Sequence, residues 1–389
     1  MNLSASTPQQ ASADTPQDFS EQLLPMIERW VRFESPSHNE ETLHGMARLI
    51  VEDALQLGLH AQLQPLSTEG APLVHIHNRH DGDSRPGILV LGHYDTVHPV
   101  GTLQKNPWRI EGDKVYGPGT YDMKAGICLA LSGLAQAQAQ GGTALPVDLV
   151  ILPDEETGSH RSRQHIEDFA RRSRYALVCE PARAEGGRCV SARKGTGFIT
   201  IKAHGRPSHA GMQHHKGRNA IEEIAHQTLA LQAMTDYARG ITVSVGLVQG
   251  GTTVNVVPEH SQLRADFRLP DPAAADELRA KVSALQPRVP DVKLDVDFQL
   301  NRPPMPRTEA TVELLRRCQA FASSAGLALD EAPMTGGASD ANFTAALGLP
   351  TLDGLGADGD GAHTLHEHVL LSTLEPRRQF WRATLQGLE

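Results

Sequence analysis

Three stretches of this chain, GILVLG (87–92), VDLVIL (147–152) and YALVC (175–179), are apolar almost throughout, with Asp148 the one charged residue, instead of at every second position. Side chains of a strand point alternately to the two faces of its sheet, so a continuous apolar run requires cover on both faces. Helical stretches such as AGICLALSGLAQAQ (125–138) lie between the runs. That order specifies an α/β layer fold with a buried sheet.

Outer helices are expected over EQLLPMIERWV (21–31) and ETLHGMARLIVEDALQLG (41–58), where Leu43, Met46, Ile50, Ala54 and Leu57 recur at helical spacing and Gly58 supplies a stop. The composition changes near Arg188. From there to Arg302 the order is strand FITIKAH, helix NAIEEIAHQTLALQAM, strand ITVSVGLVQ, strand SQLRADFRL, helix PAAADELRAKVSAL and strand VKLDVDFQL. A βαββαβ order is the split ferredoxin-like unit, and the alternating strands predict a sheet with one wet face. The domain reading is therefore a catalytic domain over 19–187 and 303–389, interrupted by an inserted domain over 188–302. Residues 1–18, polar and rich in Ser, Thr, Gln and Pro, read as a disordered lead-in without a secretory signal.

A formal net charge of -10 and the absence of a long Lys/Arg run argue against a nucleic-acid or anionic-membrane partner. Apolar runs are broken well before the roughly 20 residues a membrane span needs. The four cysteines form no CxxC pair, which fits reduced thiols and a cytoplasmic location. Cys179, at the end of an apolar run, reads as a packed strand residue instead of a nucleophile.

Each apolar run ends in residues suited to metal chemistry. His93 and Asp95 stand in LGHYDTVH, Glu155 and Glu156 in LPDEETGS, and Glu180 in ALVCEP, while Asp122 follows the turn GPG and His363 lies in GAHTLHEH. In open α/β sheets, ligands bind beyond the carboxyl ends of the strands. Singly, these residues have bland readings: a surface HxD, a helix N-cap at Asp122 and a solvated glutamate pair. Together they form an oxygen and imidazole mouth whose carboxylates need divalent cations to stay ionised. If their segment is extended, Glu155 and Glu156 diverge, so one can bind metal while the other takes a proton. Asp95 can engage the second ring nitrogen of His93.

HxDTV, GPGxxDMK, DEExGS, the glutamate after a buried strand, and HxxxE with His363 and Glu367 resemble the M20 metallopeptidase family over nearly the whole chain. The resemblance implies a zinc-peptidase-like three-layer catalytic domain with a ferredoxin-like lid and dimerisation domain. It implies two Zn2+ ions, with Co2+ or Mn2+ as substitutes. His93, Asp122 and Glu180 would bind one ion, and Asp122, Glu156 and His363 the other. Glu155 would be the general base, Asp95 the support for His93, and the Asp122–Met123 peptide cis. Spacing to Glu367 selects His363 over His366 and His368, which read as surface or supporting groups, as do His214 and His215.

Within the insertion, GRPSHAG resembles the segment that carries an oxyanion donor across a homodimer, which implies that role for His209. Asn255 and Arg268 match substrate-holding positions, and the Gly336 and Gly337 segment of GGASDAN would line the same pocket. Arg268 alone would read as a solvated charge on an alternating strand. The expected reaction is hydrolysis of an amide beside a free α-carboxylate. GGASDAN and LDGLG resemble the carboxypeptidase G2 branch of the family, which implies release of a C-terminal amino acid with glutamate as first choice. The alternatives are an N-acyl amino acid deacylase and, from a different class, a non-catalytic metal-binding protein. Expected substrates are small peptides or N-acyl amino acids.

Overall fold

The computed structural model describes residues 19–66, 70–80, 82–184 and 186–389. The lead-in expected over 1–18 lies outside them. The three apolar runs become the strands Gly87–His93, Val147–Leu152 and Ser173–Val178, with every residue of the first two buried. They occupy the middle of a six-stranded sheet and are mutually parallel, Gly87–His93 lying between the other two. Thr351–Leu352 joins one edge in parallel, while Leu73–His77 and His60–Gln64 extend the other as an antiparallel pair.

The alternation of side chains divides the sheet between two apolar clusters. Ile88, Val90, Leu149, Ile151 and Leu177 pack with helices Phe19–Arg32, Glu40–Gln56, Ala125–Ala139 and Leu371–Gly387 on one face. Leu89, Leu91, Val150, Leu152 and Val178 pack with Ile166, Phe169 and Phe343 on the other. Burial of this kind is the main favourable term in folding, and it makes the sheet a rigid platform. The architecture is mixed α/β in three layers.

Between Gly195 and Arg302 the chain forms a second body in βαββαβ order. Its antiparallel strands run Lys293–Arg302, Gly195–His204, His260–Leu269 and Thr242–Gly250 across the sheet. Ile199, Ile201, Leu263 and Phe267 on one face pack against Ile224, Leu231, Leu278 and Val282 of the two helices, forming a separate core. A small antiparallel sheet, Gly359–Asp360, His368–Leu370, Lys114–Tyr116 and Arg109–Glu111, stands beside the catalytic platform. Strands of two or three residues carry no readable period, and this sheet was not expected from the sequence. No helix among the described residues is long and apolar enough to cross a membrane.

Candidate metal centre

The carboxyl ends of the three parallel strands deliver three polar sites to one edge of the platform. His93 is the last residue of its strand, Glu155 and Glu156 begin the turn after Val147–Leu152, and Glu180 lies two residues beyond Ser173–Val178. Asp122 enters from the turn that precedes Ala125–Ala139. Gly119 makes that turn with φ 71°, and a Cβ there would stand 2.7 Å from Thr96 Cγ2. His363 arrives from the loop between the short strands Gly359–Asp360 and His368–Leu370, with φ 65°.

Two groups of potential ligand atoms result, each with its members within 4.8 Å of one another: His93, Asp122 and Glu180, and Asp122, Glu156 and His363. Asp122 belongs to both. Its Oδ1 lies 3.3 Å from His93 Nε2 and its Oδ2 lies 3.2 Å from His363 Nε2. Glu180 Oε1 is 3.8 Å from His93 Nε2, and Glu156 Oε1 is 3.3 Å from His363 Nε2. Asp122 Oδ1 and Glu156 Oε1 are nonetheless buried without a well-aligned hydrogen bond. Buried oxygens rarely go unpartnered, so acceptors aimed at a common point suit cations placed between them.

The electrostatics point the same way. Burial, reinforced by Asp122 and Glu155, pushes the Glu180 carboxyl well above its ordinary range. Burial also raises Glu156, against the opposing effect of His363. For Asp122 burial acts upward, but His363 and His93 outweigh it and hold the carboxyl below the usual range. The His363 imidazole is pushed up to about 10 by Asp122 and Glu156. The carboxylates crowded here would be held ionised by positive charge between them, and the donor set of imidazole and carboxylate fits zinc, cobalt or manganese.

Asp122 does not cap the helix. Its backbone is non-helical (φ -115°, ψ 93°), Lys124 occupies the cap position, and the Asp122–Met123 peptide is cis. The turn is held instead by Glu367, fully buried, whose oxygens accept from the backbone N–H groups of Gly119, Tyr121 and Asp122 at 2.8–2.9 Å. His98 Nε2 lies 2.6 Å from the same carboxylate. Lys124, also buried, donates to the carbonyls of Trp30 and Phe33 at 3.1 and 2.7 Å and so anchors the turn to the first helix.

Asp95 departs from its expected contact. The nearer acceptor for His93 Nδ1 is the Asp95 main-chain oxygen at 2.9 Å, with the carboxylate at 3.4 Å. That carboxylate accepts from the backbone N–H groups of Glu155 and Glu156, both at 3.2 Å, and from Ser37 Oγ at 2.8 Å. A strand-end aspartate thus fixes the acidic turn as well as the histidine.

Glu155 and Glu156 sit in a tight helical turn, Glu155–Thr157, where an extended segment was expected. The side chains still diverge. Glu156 faces His363, whereas Glu155 Oε1 is 2.7 Å from Arg302 Nη2. The same nitrogen lies 2.9 Å from Ser159 Oγ and 3.1 Å from Asp340 Oδ1. Burial lifts the Glu155 carboxyl to about 8, with Arg302 opposing the rise. His98, Ser159 and Arg302 were missed as site residues, because a lone polar residue beside a motif or a charge at a strand end has no distinctive spacing.

His209 is exposed on the inserted body, where its Nδ1 accepts from the N–H groups of Gly211 and Met212 at 3.1 Å. Its neighbour is Asn255, whose carbonyl accepts from Ala210 at 3.0 Å. Arg268 Nη1 donates to the Gly336 carbonyl at 3.2 Å, while Asp266 takes its Nε and Nη2 at 2.9 and 3.0 Å. Gly337 lies in the same exposed segment as Gly336. Neither the His209–Asn255 pair nor the Arg268–Gly336 pair shares a hydrogen bond or ion pair with the five ligand candidates. His214 and His215 are exposed, His366 is exposed, and His368 is buried with its ring 5.2 Å from that of Tyr116. Cys179 is buried, and burial raises its thiol, the opposite of an activated nucleophile.

The model of the peptidase family M20/M25/M40 matches residues 89–387. The chain belongs to this family. It is 31% identical over 314 residues to carboxypeptidase G2 of Pseudomonas sp. (strain RS-16), covering 78% of this chain and 74% of that protein. Identity to the succinyl-diaminopimelate desuccinylase of Bordetella petrii is 28% over 334 residues, with 79% and 84% covered. Among solved structures, the aminopeptidase PepT of Bacillus cereus matches with a TM-score of 0.74 at 21% identity, covering 94% and 98% of the two chains. The dinuclear metal-binding M20 peptidase YXEP of Bacillus subtilis matches with a TM-score of 0.67 at 14% identity, over 95% and 98%. These neighbours share the fold of a catalytic domain with an inserted second domain. The M20 family is metal-dependent, and the chain is a hydrolase of that family.

Proposed function

We propose that this M20 enzyme is a dinuclear zinc hydrolase that cleaves an amide beside a free α-carboxylate and releases a C-terminal amino acid. The observation that carries this reading is the division of the cluster: five residues form two ligand groups sharing Asp122, and Glu155 stays outside both. A purely structural site needs no further carboxylate beside its ligands, and Glu155 is held there by Arg302.

Bound at these groups, the cations would polarise the scissile carbonyl and ease deprotonation of a water molecule. His93, Asp122 and Glu180 would hold one, and Asp122, Glu156 and His363 the other. Asp95 fixes the acidic turn that carries Glu155 and Glu156. Glu155 takes the proton from the attacking water and returns it to the departing amine nitrogen. Burial excludes competing water and favours a base that can hold the proton near neutrality. Arg268 receives the substrate α-carboxylate on the Nη1 side it turns to Gly336, beside Gly337, and Asn255 contacts the bound amide.

His209 donates to the developing oxyanion from the partner subunit of a homodimer formed through the inserted domain. Its exposure and its lack of contact with the ligand groups support a role in trans. The sequence likeness to carboxypeptidase G2 favours peptidyl or acyl-glutamate as the first substrate to assay. The likeness to desuccinylases keeps N-acyl amino acid deacylation as the second reading.

The test is hydrolysis of a panel of N-acyl and peptidyl amino acids by the zinc-loaded protein and its Glu155→Gln variant. The variant is expected to bind the same amount of metal and to lose about 10²- to 10⁴-fold in kcat, the usual contribution of a positioned general base. Turnover at the parental rate, or activity unchanged after thorough chelation, would overturn the reading.

A further inference from the structure

Three guanidinium groups converge on the segment 335–337. Arg183 Nη2 donates to Thr335 Oγ1 at 2.6 Å, Arg193 Nη1 to the Gly337 carbonyl at 3.0 Å, and Arg268 Nη1 to the Gly336 carbonyl at 3.2 Å. Two of the three also have a carboxylate partner within the chain. Arg193, buried, places Nε 2.6 Å from Asp353, and Arg268 is engaged through two nitrogens by Asp266. Arg183 has no ion pair with any described carboxylate, and its Nε is buried without a hydrogen-bond acceptor.

The charge of Arg183 is thus balanced by no described carboxylate, and because Nε is enclosed a ligand carboxylate would meet the guanidinium at its Nη edge. A guanidinium carries its donors in a planar fork whose geometry matches a carboxylate. The position of Arg183 suits substrate. It follows the ligand candidate Glu180 by three residues, and the preceding Ala182 carbonyl accepts from the hydroxyl of Tyr121, the neighbour of Asp122. Reciprocal backbone bonds with Arg188, at 2.8 and 3.1 Å, fix the loop that carries it. Gly337 lies beside the guanidinium: a Cβ built there would be in ordinary contact with Arg183 Nη2, at 3.6 Å, and with Arg193 Nη1, at 3.9 Å.

We propose that Arg183 is a specificity residue that pairs with a second carboxylate of the substrate, beyond the α-carboxylate beside the scissile amide. This rests on the hydrolase reading above. The second carboxylate belongs either to an acidic side chain of the released amino acid or to a dicarboxylic acyl group, and the same fork accepts both.

Matched substrate pairs test it. The zinc-loaded enzyme, Arg183→Met and Arg183→Lys are compared on N-acyl-glutamate against N-acyl-glutamine and on N-succinyl-leucine against N-succinamoyl-leucine. In one pair the parent enzyme is expected to prefer the acid by at least about tenfold in kcat/KM. Arg183→Met should reduce that ratio at least about tenfold, chiefly through KM, and Arg183→Lys should retain part of it. The pair that responds identifies which part of the substrate carries the carboxylate.

Calorimetric binding of glutamate against glutamine and of succinate against succinamate reads the same contact without turnover. Arg183-dependent discrimination in binding with no hydrolysis would reject the hydrolase reading alone. An acid-to-neutral ratio unchanged by both substitutions, in turnover and in binding, would overturn the role of Arg183.

Discussion

Asp122 shows how one side chain can organise two groups of ligands. Its oxygens face opposite ways, one towards His93 and the other towards His363, because the backbone leaves helical geometry before the helix begins. Asp148, inside the platform, has a simpler role. Its carboxylate is buried between His75 Nε2 at 2.9 Å and Arg79 Nη2 at 2.7 Å, and although burial acts upward these partners hold its pKa down to about 2. A carboxyl depressed in the folded state stabilises the fold above its unfolded pKa, near 4, and that contribution is lost as pH falls towards the folded value. Asp148→Asn should therefore cost about 2 kcal/mol at pH 7, and in urea titrations the deficit should close between about pH 4 and pH 2. A deficit that stays constant with pH would show that the loss does not arise from the depressed Asp148 carboxyl. Residues such as Asp122 and Glu180 were legible in the sequence because each directly follows a turn or a buried run. Arg302 and His98 were not, because their partners are 147 and 269 residues away.

Three parallel strands explain why the ligands meet. Their common direction puts His93, the Glu155–Thr157 turn and Glu180 at one edge, and adjacent runs in the sheet become adjacent walls of the site. The element that brings in Asp122 depends on Glu367, which accepts three backbone N–H groups and faces His98. An amide in its place accepts through one oxygen only and leaves buried donors unpaired. Glu367→Gln is expected to weaken metal affinity about 10- to 100-fold and to lower stability by about 1–3 kcal/mol. Competition with a chromogenic chelator and thermal melts of the apoprotein measure the two effects, and unaltered values would remove Glu367 from the account. Continuous apolar runs and alternating strands were readable as elements because burial imposes a period on them. The edge strand His60–Gln64, mostly polar, and the short strands of the small sheet follow from tertiary pairing and leave no such trace.

At the scale of the molecule, the inserted body exposes what the catalytic body buries. Its strand Thr242–Gly250 is bonded on one side only, and Leu247, Val248 and Val254 are solvent-exposed on or beside it. An open apolar edge invites pairing with another strand, which is the basis for expecting a dimer that carries His209 to a second site. Light scattering should find a dimer, and the double substitution Leu247→Glu with Val248→Glu should yield monomers with activity reduced at least about 10²-fold, the scale of losing one oxyanion donor. A fully active monomer would contradict the trans role. The central claim, two cations sharing Asp122, is tested most directly by anomalous scattering from zinc-loaded crystals. The account predicts two peaks per chain about 3.5–4 Å apart, flanking the Asp122 carboxylate, with His93 and Glu180 on one and Glu156 and His363 on the other. A single peak, or peaks remote from Asp122, would contradict it.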